Sequence, residues 1–146
     1  MRDDTIHSMN IAICGSMLFT EKMFEVKKLL EKSGHHVFVS AFAQEYVGKS
    51  PEQKEKLVLF HKNEKDAIRE FLDKIKKSDA ILVLNYDKNE VKNYIGGNTL
   101  IEIGFAHYWK TKIFLLNPIP EIPYYKSEIE AVKPIILNGD LQKLNS

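Results

Sequence analysis

The chain has 146 residues, 44% apolar and 28% charged, a composition that fills the core of one compact domain and does not suit a disordered chain. Its charges nearly cancel at +1, so nothing in the net balance asks for a nucleic-acid polymer or an anionic membrane as partner. No apolar run reaches the roughly 20 residues that cross a bilayer, and Met1 to Ser8 is too polar for a secretory signal. A cytoplasmic protein is the expectation, with residues 1–8 a disordered extension and 9–146 a single domain.

Asn10 to Cys14 forms a short apolar run closed by Gly15-Ser16, and Glu21 to Lys32 then carries Met23, Val26, Leu29 and Leu30 at helical spacing. Ser33-Gly34 stops that helix, and His36 to Val39 is a second strand. One βαβ unit is complete by Ser40. Residues 41–62 are less regular, although Ser50-Pro51-Glu52 is a good helix start and Leu57, Val58 and Phe60 offer a short apolar face. Glu64 to Lys77 places Ala67, Ile68, Phe71, Leu72 and Ile75 on one side of an amphipathic helix.

Ala80 to Asn85 is apolar throughout until its last residue, as suits a central parallel strand. The loop from Tyr86 to Gly97 leads into a helix from about Thr99 to Lys110, and Lys112 to Asn117 is a further buried strand. Pro118, Pro120 and Pro123 mark a loop, Tyr125 to Val132 a last short helix, and Ile135 to Leu137 a fifth strand. Strands alternating with helices predict an α/β flavodoxin-like three-layer sandwich with a five-stranded parallel sheet. Ligands of such sheets bind beyond the carboxyl ends of the strands, where the strand order reverses. The loops Gly15 to Thr20, Tyr86 to Thr99 and Asn117 to Tyr124 should converge there.

The most informative position is Glu102, a carboxylate bracketed by Leu100, Ile101, Ile103, Phe105 and Ala106. Two readings fit it. Thr99-Leu100-Ile101-Glu102 matches a capping box, in which the acid reaches back to the Thr99 amide. With Asn98 as the cap instead, Glu102 is free to face the crevice as a nucleophile or as a partner for a developing cation such as an oxocarbenium-like sugar.

Around it, Gly15 and Ser16 offer backbone N–H groups and a hydroxyl to a phosphate or sugar, with a plain turn as the alternative. Asn85, Tyr86 and Asp87 end the central strand and can meet a base or sugar hydroxyl. Gly97 and Asn98 close the middle loop, and Asn117 is a hydrogen-bonding candidate or a local turn before Pro118. Cys14 reads as a small core residue. His35, His36, His61 and His107 lack metal-ligand spacing, and His61, Lys62 and Arg69 are cationic candidates, with an ordinary solvated face as the favoured alternative. Neither a dinucleotide fingerprint nor a P-loop is present, so no cofactor is implied.

The Gly15-Ser16 loop, the strand Ser78-Asp79-Ala80-Ile81-Leu82-Val83 and above all Gly96-Gly97-Asn98-Thr99-Leu100-Ile101-Glu102-Ile103-Gly104-Phe105-Ala106 together resemble the nucleoside 2-deoxyribosyltransferase superfamily, which includes nucleoside 5′-monophosphate N-glycosidases. The resemblance runs from about Met9 to Leu116. It implies cleavage or exchange of an N-glycosidic bond in a small nucleoside or nucleotide, a covalent glycosyl intermediate on Glu102, and a homo-oligomer, dimer or larger, with sites near subunit contacts. Family enzymes commonly carry an acid six residues before the nucleophile, where this chain has Gly96, and another in the preceding helix, where it has Phe71. Asp87 is then the substitute acid by proximity. The alternative is a non-catalytic nucleotide-binding or sensing protein on the same fold.

Overall fold

The computed structural model describes residues 8–145. Five strands, β1 (Asn10–Cys14), β2 (His36–Phe38), β3 (Ala80–Val83), β4 (Lys112–Leu115) and β5 (Ile135–Ile136), form one sheet in the order β2-β1-β3-β4-β5, every neighbour parallel. This is the flavodoxin-like order expected from the alternating pattern. Of the expected extension, residues 1–8, Met1–His7 lie outside the described residues, while the Ser8 hydroxyl donates to the Gly34 carbonyl at 2.7 Å.

The pleat of β1 sorts its side chains between two cores. Ile11 and Ile13 pack with Met23, Val26 and Leu30 of α1 (Thr20–Lys32), joined from the C-terminus by Leu137 and Leu144. Ala12 and Cys14 point the other way, toward Phe71 and Ile75 of α3 (Ala67–Lys76), Ile103 and Ala106 of α4 (Gly97–Tyr108) and Ile129 of α5 (Lys126–Ala131). Glu102 rides on the α4 side of this layer.

Residues 41–62 form the partly helical excursion that the Ser50-Pro51-Glu52 start predicts. A short 3₁₀ turn (Ala43–Tyr46) precedes α2 (Pro51–Glu64), which Ser50 starts with a full capping box closed by Gln53. The inward face of α2 is the surprise. It buries Lys54 and His61, whereas Leu59 and Phe60 are turned outward at 55% and 48% exposure. The apolar face expected from Leu57, Val58 and Phe60 is therefore split, because polar anchors win the inward positions. Lys54 donates to the Leu18 carbonyl at 3.1 Å and pairs with Glu21, tying α2 to the 3₁₀ turn after β1 and to α1. Glu21 is held at about 2 by that ammonium and by the Gly48 amide.

Because α1 leaves β1 for one face and α4 leaves β3 for the other, the loops after these adjacent strands part and leave a crevice. Gly15 makes the turn there at φ +150°, and a Cβ would stand 3.1 Å from the Leu84 carbonyl oxygen. α2 closes the outer side of this crevice.

Candidate active site

Gly96, not Asn98 or Thr99, is the N-cap of α4, and among the described residues no side chain caps the helix. Glu102 therefore sits in the second turn, beyond reach of the capping-box role. Its carboxylate lines a cleft together with Cys14, Gly15, Asn98 and Phe71, whose volume counted to the open mouth is about 600 Å³. Loss of water pushes its pKa from 4.5 up to about 8; the Cys14 thiol, in hydrogen-bonding contact, pulls it down, and the charge of Glu70 raises it further. Burial first, and then Glu102, push the Cys14 thiol up as well. Cys14 thus stays protonated as a donor and is unsuited to be a nucleophile.

Glu70 is the carboxylate next to the Phe71 position. Its Oε1 accepts from Lys74 Nζ at 2.9 Å and from the Ala41 amide at 3.2 Å, while its Oε2 is buried and has no hydrogen-bond partner among the described residues. Gly96 lies close against a ring: a Cβ at this position would stand 3.1 Å from Tyr94 Cε2 and 3.3 Å from its hydroxyl, so any larger residue requires the tyrosine to shift.

The cleft has two arms. One is polar, lined by Ser16, Glu55, Lys88, Tyr94, Gly96, Gly97 and Thr99 at the start of α4. Lys88 Nζ donates to Ser16 Oγ at 3.0 Å, pairs with Glu55 at 3.4 Å and lies 5.6 Å from the centroid of the Tyr94 ring. The first amides of a helix that lacks a side-chain cap add partial positive charge. The other arm is apolar and formed by Met17, Met23, Phe42, Tyr46, Val58, His61, Ile68 and Phe71. Gly15, Met17, Val58, Lys62 and Asn98 line both arms, which makes them one continuous cleft with Glu102 near the join.

Of the sequence candidates, Glu102, Gly15, Ser16, Gly97 and Asn98 are brought together here. The other four are not. Asn85 is buried, donating to the Asn117 and Pro118 carbonyls at 2.9 and 3.1 Å and accepting from the Asn117 amide, while Asn117 Nδ2 donates to the Asn85 carbonyl. The two asparagines clamp the ends of β3 and β4 to each other. Tyr86 packs edge-on against Phe19, ring centroids 5.1 Å apart. Asp87 is exposed and accepts from the Asn93 amide, tightening its own loop.

Two groups at the cleft escaped the sequence reading, Lys88 and Tyr46, while His61 and Lys62, two of the three cationic candidates, do line it. Lys88 was hidden in a polar loop. His61 is 2% exposed, so the solvated face expected for it is corrected, whereas Arg69 does lie in solvent and pairs with Asp66 at 2.9 Å. The usable signal for His61 was its spacing from Lys54 and Val58, which puts all three on one side of α2.

No family model matches the sequence, and no curated protein sequence matches it. Among solved structures, the chain is similar to the Clostridium botulinum CMP N-glycosidase BcmB, with 25% identity and a TM-score of 0.50 over 92% of this chain and 97% of that one. It is also similar to a 2-deoxyribosyltransferase from Bacillus psychrosaccharolyticus, at 19% identity and a TM-score of 0.46 over 77% of this chain and 75% of that one. The flavoenzyme FerB from Paracoccus denitrificans matches at 15% identity and 0.48 over 90% and 76%. The BcmB match spans nearly the whole of both chains and bears out the resemblance to the nucleoside 2-deoxyribosyltransferase superfamily.

Proposed function

We propose that this protein cleaves or exchanges the N-glycosidic bond of a nucleoside 5′-monophosphate, with Glu102 as the nucleophile. The observation that carries this is the Glu102 carboxylate itself, on the second turn of α4 at the join between a polar and an apolar arm. A nucleotide has the same order of parts. The phosphate suits Lys88, Ser16 and the first amides of α4, the sugar lies over Glu102 and Asn98, and the base enters the apolar arm. BcmB, a CMP N-glycosidase by name, supports a nucleotide over a free nucleoside.

In the first step a Glu102 oxygen bonds to the anomeric carbon as the carbon–nitrogen bond breaks, its electron pair leaving with the base. Water, or a second base, then attacks the same carbon and frees the carboxylate. Only ionised Glu102 can attack, so the first step accelerates with pH through about 8.

A homo-oligomer follows from the same reading. Ile101 and Phe105, each 41% exposed, and Tyr108, 79% exposed, stand beside Gly104 on the outer side of α4. A second copy packed on this face would brace the helix that carries Glu102.

Incubation with cytidine, uridine and purine 5′-monophosphates, ribo and deoxy, at pH 6 to 9 tests the reading by chromatography of released base. Release that Glu102→Ala abolishes is expected. No release from any of them overturns it. Ligand-induced thermal stabilisation that persists in Glu102→Gln without turnover would instead establish the non-catalytic binding protein, the reading favoured by Gly96 and Phe71 where the family resemblance leads one to expect acids.

A further inference from the structure

The apolar arm holds one buried polar chain for which the proposed reaction has as yet no use. Tyr46 and His61 are each 2% exposed, and the Tyr46 hydroxyl lies 2.8 Å from His61 Nδ1. His61 Nε2 lies 3.3 Å from Glu45 Oε1, which reaches solvent, and the imidazole stacks on Phe42 at 4.4 Å between centroids and 15° between planes. Both ring nitrogens are thus satisfied and the ring is held on one side by an aromatic face. Such a chain inside an otherwise apolar wall is costly unless it is complete, and a complete one is rigid.

We infer that the Tyr46 hydroxyl, backed by His61 and Glu45, delivers the proton that the departing base requires in the apolar arm. This rests on the N-glycosidic reading of the site. Asp87 cannot serve, because it lies outside the cleft, and Gly96 and Phe71 carry no proton. Tyr46 and Glu102 both line the apolar arm, which receives the base if the phosphate occupies the Lys88 arm.

As Glu102 bonds to the anomeric carbon and the carbon–nitrogen bond breaks, the Tyr46 O–H proton passes to the base, and the Tyr46 oxygen is reprotonated through His61 by a proton that enters from solvent on the Glu45 side. When water opens the glycosyl ester, its proton leaves to solvent by the same chain, so no net proton is gained or lost. Burial and then the Glu45 charge push the Tyr46 pKa up to about 12, so the phenol holds its proton until the base takes it. The charged and titratable groups facing this chain are Glu45 from the 3₁₀ turn, Lys62 from α2, and Glu102 with Cys14 from α4 and β1 across the cleft. Tyr46 is the catalytic donor and His61 a positioning residue that resupplies it.

The test compares two leaving groups on one sugar phosphate: an ordinary pyrimidine base, which needs a proton to depart, and 4-nitrophenolate, which does not. With Tyr46→Phe and His61→Gln, base release should fall by about 100-fold or more in kcat, the scale of general-acid catalysis. Release of 4-nitrophenolate should stay within about threefold of the unaltered protein, which also certifies the fold. Equal losses on both substrates, or a loss confined to KM, would overturn the inference. Absence of base release in the unaltered protein would sink the parent reading and this inference with it, whereas unchanged release in both variants would sink this inference alone.

Discussion

Replacing Glu102 by Gln removes one titrating group from the cleft and leaves its size almost unchanged, so the pH dependence of stability isolates it. In the folded chain the carboxyl titrates near 8 against 4.5 for an ordinary one. Between these values the native state holds a proton that the unfolded state has released, and the free energy of unfolding must fall as pH rises, at about 1.4 kcal/mol per unit. Integrated from pH 5 to pH 7 with those two values, the loss is about 2.5 kcal/mol. Glu102→Gln escapes it, because the amide does not titrate. Urea unfolding of both proteins at pH 5, 6, 7 and 8 should therefore show the variant gaining on the original at every step, with the gain levelling off above 8. A stability difference that stays flat from pH 5 to 8 would refute the account of a water-stripped carboxylate in this cleft.

Glu70→Gln should lower the titration midpoint of Glu102, since it removes the charge that opposes ionisation; carboxyl NMR or the pH dependence of turnover reads the shift. Gly15→Ala should destabilise by about 1 to 3 kcal/mol in chemical unfolding, from the left-handed backbone and the close Leu84 carbonyl together. Lys54→Met should loosen α2 from α1 and cost about 1 to 2 kcal/mol, moderated because Glu21 stays partly solvated when its partner is lost. Phe105→Glu, placed on the outer face of α4, should convert an oligomer to monomer by light scattering without altering the fold.

The strands were legible because each is a run of apolar residues bounded by turns, and a period-two or fully apolar pattern survives without tertiary information. The start of α4 is ambiguous in the sequence for a local reason. Thr99 and Glu102 have the capping-box spacing, but Gly96 begins the helix three residues earlier, and spacing alone does not reveal which turn comes first. Asn85 and Asn117 sit at strand ends where ligand contacts are common, yet each satisfies the other across 32 positions of chain. That pairing needs the sheet order before it can be seen. His61 was invisible as a buried group because α2 violates the usual rule, hiding a lysine and a histidine while exposing Leu59 and Phe60.

The Tyr94 ring beside Gly96 makes the two positions interdependent in any altered sequence. Placing an acid there with Gly96→Asp alone brings the new Cβ to 3.1 Å from the ring, so the tyrosine must shift against Lys88. Trimming Tyr94 first opens room but uncovers the ammonium. A productive route between acid-bearing and acid-free forms of this loop therefore has a preferred order of steps, small residue at 94 before carboxylate at 96, and the double change should be more active than either single change predicts by addition.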